Sequence, residues 1–221
     1  MHSTRHIKGL GILALSIIFI SFMSCNTSEH SGFSSAELSI INSSDSIMRV
    51  YTTECEEDMT VLRGQSTDLP AETLLSEDFR RLTEKMFATV THPSQDGVGI
   101  AAPQVGLNRR VVAVQRFDKE PDQQGNYPFE IYANIRIVSA SDTLAPGPEG
   151  CLSVPGRDGE VMRSQSIEIE YTDLKALNED DICKEELPTV REKITGFTAV
   201  IFQHEIDHLE GILYIDKLLE Q

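Results

Sequence analysis

Residues 203–211 read Gln-His-Glu-Ile-Asp-His-Leu-Glu-Gly, and on a helix the four-residue separation of His204 and His208 turns both imidazoles toward one point. A dication bound there by two neutral imidazoles needs at least one more protein ligand, while Glu205, lying between them, remains free to act on a water. Two histidines at this spacing can also be satisfied by ordinary hydrogen bonds on a helix that binds nothing. Phe197, Val200 and Ile201 stand seven, four and three positions before His204 and share its side of the helix, which predicts an apolar, buried face. Unpaired histidines are poorly placed on such a face, and the metal reading is favoured.

The better candidate for the further ligand lies upstream. No histidine follows His208, the position of a third histidine in the longer zincin pattern is Tyr214, and only Glu210, Asp216 and Glu220 remain as carboxylates. Upstream, Glu149-Gly150-Cys151-Leu152-Ser153 follows a stretch rich in proline and glycine at 145–148. A Cys151 thiolate there would complete a sulfur and two-nitrogen set with one position left for water, although a buried structural thiol is the alternative. A third segment, 97–106, reads Gly-Val-Gly-Ile-Ala-Ala-Pro-Gln-Val-Gly. Its small residues permit close approach of another chain or a ligand, and Gln104 adds an amide donor. Pro103 and the glycine spacing exclude a dinucleotide fingerprint.

Taken together and in this order, the three segments resemble peptide deformylase, whose motifs G-x-G-h-A-A-x-Q (h apolar), E-G-C-L-S and Q-H-E-x-D-H are matched residue for residue. The resemblance covers roughly residues 47–221. It implies removal of the formyl group from N-formylmethionyl peptides. It also implies that Cys151, His204 and His208 bind one divalent metal, that Glu205 is the general base, and that Gln104 and the Leu152 N–H stabilise the developing oxyanion. Val98 and Gly99 are placed at the substrate, Gly99 through its backbone, and Phe197 and Ile201 in an apolar pocket for the methionine side chain. Arg163 and Asp207 are expected to pair in support of His208 or the helix. By resemblance the metal is ferrous iron, with zinc or nickel as alternatives. Two departures stand out: Ile135 replaces the usual proline after Asn134, and a longer polar insertion at 117–129 reads as a surface hairpin or loop with no bearing on chemistry.

The amino terminus implies a different address. Arg5 and Lys8 precede an apolar run at 10–22, too short for a comfortable membrane span, and Ser24-Cys25 follows. Residues 1–24 read as a signal peptide. The segment 21–25 resembles a lipobox, which would place a lipid on Cys25 of a protein exported to a bacterial cell envelope and anchored at the membrane; an ordinary cleaved signal or an uncleaved anchor are the alternatives. Residues 25–46, rich in serine, read as a flexible tether, and 47–221 as one catalytic domain.

The chain has 19 basic and 35 acidic residues, a net charge of −16 that deepens once Arg5 and Lys8 leave with the signal. Such a surface repels nucleic acid and anionic lipid, so any membrane contact must come through the lipid on Cys25. The chain is expected to act as a monomer. Cys55 and Cys183 are two thiols or one disulfide. Periodicity predicts a helix over 75–90 capped near Ser76, strands at 111–114, 131–138, 167–171 and 187–194, a turn region at 173–181, and the motif helix at 197–210 ended by Gly211. The expected fold class is α+β, short antiparallel sheets packed around a C-terminal helix carrying the H-E-x-x-H motif. Competing functions are another exported metallopeptidase or amidase on the same residues, or a non-enzymatic surface lipoprotein that retains the fold.

Overall fold

The computed structural model describes residues 32–184 and 186–220; the expected signal peptide, Cys25 and the first part of the expected tether lie outside them. Four helices come first: α1 (Ser35–Ile41), α2 (Glu56–Leu62), α3 (Ala71–Leu74) and α4 (Glu77–Val90). Then follow β1 (Gly99–Ala101), a 3-10 turn (Ala102–Val105), β2 (Val111–Gln115), β3 (Phe129–Ala133), β4 (Arg136–Ala140), β5 (Leu144–Gly150), β6 (Asp158–Ser164), β7 (Ser166–Thr172), β8 (Thr189–Thr195) and α5 (Gly196–Leu209). All strand pairs are antiparallel, in three sheets ordered β1-β2-β3, β4-β7-β8 and β5-β6. The expected α+β arrangement around the C-terminal helix is what is found.

The run Val111-Val112-Ala113-Val114 lacks the polar alternation of a strand with one wet face, and the structure shows why. Val111 and Ala113 pack with Leu82, Met86 and Val90 of α4, whereas Val112 and Val114 pack with Phe202, Ile206 and Leu209 of α5. Successive residues point to opposite faces, so a sheet covered by a helix on each side must be apolar at every position. The helix α5 is thereby held inside the molecule, which makes it a rigid carrier for the motif. It starts where Gly196, at φ 64°, turns the chain out of β8, and it stops at Gly211, at φ 71°. A Cβ on Gly211 would collide with the Arg63 carbonyl oxygen, so this end of the helix demands glycine.

Two expectations are corrected. The strand expected at 131–138 is two strands in different sheets, because Asn134 adopts φ 54° between them. Asparagine tolerates this left-handed conformation. Here its amide accepts from Leu69 N–H at 2.7 Å and donates to Leu69 O at 2.9 Å, which fixes the turn. The tether expectation also fails for its described part, 32–46. Ser34 and Glu37 form a capping box that starts α1, Ile41 is fully buried, and Glu37 reaches Arg109 at 2.6 Å. Serine content there signals a helix start rather than a loose chain. Among the described residues no helix is long and apolar enough to cross a membrane. The Cys55 thiol donates to Glu57 at 3.0 Å and is not part of a disulfide.

Candidate metal centre

Three elements converge on one point. Cys151 follows the last residue of β5, Gln104 rides on the 3-10 turn after β1, and α5 brings His204, Glu205 and His208 on its inner side. One ligand atom each from Cys151, His204 and His208 lie within 4.8 Å of one another, and Cys151 Sγ is 3.2 Å from His208 Nε2. His204 Nδ1 donates to Glu149 Oε2 at 2.8 Å, which leaves its Nε2 for the shared point.

Glu149 belongs to a chain of charges that passes through the core. Arg163 on β6 donates to both Glu149 oxygens at 2.7 and 2.9 Å and to Asp207 at 2.6 Å, and Lys217 holds Asp207 from outside. The expected Arg163–Asp207 pair is present, but through Glu149 it supports His204 rather than His208. Burial pushes the Glu149 carboxyl up, yet the bonds from Arg163 and His204 outweigh it and hold the group at about 2. The sequence marks Glu149 only as part of the cysteine segment; nothing in its spacing reveals this partner.

The donor set fits a dication. Burial disfavours the charged form of His204, but bonds to Cys151 and Glu149 raise it to about 10, while burial and the His204 charge hold His208 well below the usual range. Cys151 and Glu149 thus attract positive charge at His204, while the neighbouring His208 stays neutral. A divalent ion would supply that charge with both imidazoles neutral, and a thiolate with two imidazoles is a ligand set for transition metals.

Glu205 is buried, and its Oε2 has no hydrogen-bond partner among the described residues. Burial raises it to about 7, with His204 lowering and Glu149 adding to the shift. A carboxylate near neutrality, unpaired and beside a cleft, is suited to taking and returning a proton. The backbone of Gly99 runs so close that an added Cβ would overlap Glu205 Oε1 and lie 2.8 Å from its Cδ. The Gln104 amide is oriented by the Ala101 N–H, which donates to its oxygen at 2.8 Å and so turns the amino group toward Ser153 Oγ (3.3 Å) and Cys151 Sγ (3.5 Å). A strap formed by Tyr51 and Thr53 ties the two loops together, donating to Gln104 O at 2.7 Å and Ser153 O at 2.8 Å.

An open cleft of about 380 Å³ lies over these groups. Val98, Gly99, Leu152, Phe197, Val200 and Ile201 line it together with Gln104, Cys151, His204 and Glu205, so every expected site residue except the deeper His208 borders it. Phe197 departs from the expected buried face: it is 55% exposed, because the first turn of α5 stands at the rim.

Residues 53–221 match the family model described as polypeptide deformylase. Among curated proteins, the peptide deformylase of Leptospira biflexa is 36% identical over 160 residues, covering 72% of this chain and 82% of the relative. That of a Picosynechococcus species is 34% identical over 144 residues, covering 65% and 68%. Among solved structures, a Met-Ala-Ser-bound class I type b peptide deformylase from Acinetobacter baumannii superposes with a TM-score of 0.63 at 31% identity, covering 78% of this chain and 98% of the other. A peptide deformylase from Thermotoga maritima gives 0.63 at 28% identity, covering 79% and 99%.

Proposed function

The chain belongs to the peptide deformylase family, and on that premise we propose how its own residues divide the work. It is a metal-dependent hydrolase that removes the N-formyl group from N-formylmethionyl peptides and releases formate. The observation that carries the assignment of roles is the convergence of Cys151, His204 and His208 beside the unpaired, buried carboxylate of Glu205.

Cys151, His204 and His208 hold the ion. When bound, a dication lowers the pKa of a water and stabilises negative charge on an oxygen. The thiolate suits ferrous iron, and the set also admits zinc or nickel. Glu205 accepts the proton of the water that attacks the formyl carbon, and later gives it to the leaving amine. The Gln104 amide and the Leu152 N–H donate to the formyl oxygen as charge develops on it, each worth about 3–4 kcal/mol of barrier. Gln104 needs no reorganisation for this, since the Ala101 N–H already turns its amino group inward. Phe197, Val200 and Ile201 form the apolar wall for the methionine side chain, with Val98 and the Gly99 backbone alongside the peptide.

Residues 1–24 direct export, and Cys25 carries a lipid that keeps the enzyme at the envelope membrane; the charged start and the apolar run at 10–22 support this. Labelled palmitate incorporated by the full chain but not by Cys25→Ala is the expected result, and equal labelling would remove the lipid from the reading. For the activity, protein purified from Asn26 onward without oxygen is expected to carry one transition-metal ion and to release formate from formyl-Met-Ala-Ser. Glu205→Ala should abolish release with the metal retained, and Cys151→Ala should lose the metal. A metal-loaded protein that releases no formate would retain the site and discard the substrate.

A further inference from the structure

The 116–128 loop between β2 and β3 takes in most of the polar insertion read at 117–129, and its aromatic residues connect it to the cleft. The ring of Phe117 lies 5.3 Å from that of Phe197 and 5.0 Å from that of Tyr127, at interplanar angles of 52° and 47°. The three rings make a continuous row from the loop to the first turn of α5, and Phe197, at its inner end, lines the cleft. Phe117 itself is half-buried and packs on the same apolar cluster as Val98, another residue of the cleft wall.

The neighbours of Phe117 are clamped. Arg116 is 1% exposed and donates to Asp118 at 2.8 Å, to Glu192 at 2.6 Å, to Glu130 at 3.1 Å and to the Tyr132 hydroxyl. Its guanidinium also lies 5.6 Å from the Phe202 ring centroid on α5. A backbone fixed on both sides of Phe117 directs its ring at Phe197. An exposed phenylalanine at the mouth of a cleft otherwise has rotamer freedom that is lost when a substrate packs on it. Contact with a fixed ring removes that freedom beforehand.

We propose that Phe117, backed by Tyr127 and held by the Arg116 cluster, is a positioning residue that fixes Phe197 and so sets the selectivity of the cleft for a long apolar N-terminal side chain over a small one. The proposal rests on the placement of the methionine side chain against Phe197 given above. Because Phe117 touches no reacting group, it acts on binding of the side chain and not on the chemical step. It also gives the loop a reason to carry aromatic residues at its two ends and polar ones between them: the ends face α5 and the tip faces water.

The test compares formyl-Met-Ala-Ser with formyl-Ala-Ala-Ser as substrates, and Met-Ala-Ser with Ala-Ala-Ser as ligands in calorimetry, for the wild type, Phe117→Ala, Phe117→Tyr and Tyr127→Ala. In Phe117→Ala the preference for methionine is expected to fall by about three- to tenfold, the worth of one lost aromatic contact. The fall should appear in KM and in the affinity for Met-Ala-Ser, with kcat within twofold and metal content unchanged. Tyr127→Ala should show a smaller fall, and Phe117→Tyr should restore the preference. Equal losses on both peptides, or an unchanged preference, would overturn the proposal. If the wild type releases no formate, the calorimetric preference decides alone: a preference for Met-Ala-Ser that depends on Phe117 sustains the proposal while the reaction assignment fails, and its absence overturns both.

Discussion

Replacing Arg163 by methionine removes the cation from the centre of the buried chain Asp207–Arg163–Glu149–His204 while retaining the apolar stem. Arg163 is 5% exposed and Glu149 7%, so neither has water to replace the lost partner. Asp207 retains Lys217 at 2.6 Å, but Glu149 loses two charge-assisted bonds and keeps only the one to His204. Breaking a buried pair from one side costs about 3–5 kcal/mol, because the other charge stays behind uncompensated. At about 2–4 °C per kcal/mol for a chain of this size, the melting temperature should fall by about 6–20 °C. The second effect is on the metal. Glu149 fixes the ring of His204, and loss of such an outer partner typically lowers metal affinity about 10–100-fold. Thermal unfolding of metal-free protein and chelator competition with zinc under anoxic conditions read the two effects separately. Arg163→Lys should be intermediate, since it keeps the charge and loses the fork. Adding Glu149→Gln to Arg163→Met should recover much of the stability, because it removes the stranded charge and leaves an acceptor for His204. An Arg163→Met protein with unchanged melting temperature and unchanged metal affinity would refute the reasoning.

Gly99→Ala tests the packing behind the base. The new Cβ would overlap the Glu205 carboxylate, and the group must move, so kcat should fall about 100-fold with metal content unchanged, and activity within twofold of wild type would show that the carboxylate has room. The strap that ties Gln104 to Ser153 is anchored by Asp58, which accepts from Arg49 at 2.8 and 2.5 Å and from Thr52 N–H at 2.9 Å. Arg49 holds the Asp58 carboxyl below its ordinary range, against burial, which pushes it up. A carboxyl depressed in the folded state contributes stability above its unfolded pKa of about 3.9, and that contribution disappears as pH falls through the folded value. Arg49 is 62% exposed but Asp58 only 1%, so Arg49→Ala leaves a buried carboxylate with the Thr52 N–H alone and should cost about 1–3 kcal/mol at pH 7. Its urea midpoint should converge with that of the wild type in acid; a gap independent of pH would exclude this origin.

The chemistry of the site is legible in sequence because it constrains residue identity at short range. His204, Glu205 and His208 share one turn of helix, and the Gly97 to Gln104 and Glu149 to Ser153 segments each need particular residues over a few positions. What holds these groups in place obeys no such local rule. Arg163 reaches Glu149 although the β5–β6 register sets it opposite Ala145, and no spacing along the chain encodes that meeting. The same holds for Phe117 and Phe197, 80 positions apart and in ring contact. Other features were hidden although a signal was present. Ser34-Ser35-Ala36-Glu37 is a capping box in sequence, masked by the polar composition around it, and Asn134 marks a left-handed turn inside an otherwise continuous strand pattern.

This division has a consequence for how the site tolerates change. A ligand or base can be exchanged only for a group of similar chemistry, whereas a supporting residue can be replaced by any arrangement that delivers the same charge or surface to the same place. The insertion at 116–128 illustrates the second case. Its tip is held by local bonds, Asp122 accepting from the Gln124 and Asn126 N–H groups and Lys119 pairing with Glu130, whereas contact with α5 comes through Phe117 and the Arg116 cluster. Grafting a shorter connection between Gln115 and Phe129 should therefore preserve the metal centre, whose residues lie on other elements, while it removes the support of Phe197. Preserved metal binding with an altered substrate preference is the pattern expected from a fold in which the reacting groups and the wall that selects the substrate are held by different parts of the chain.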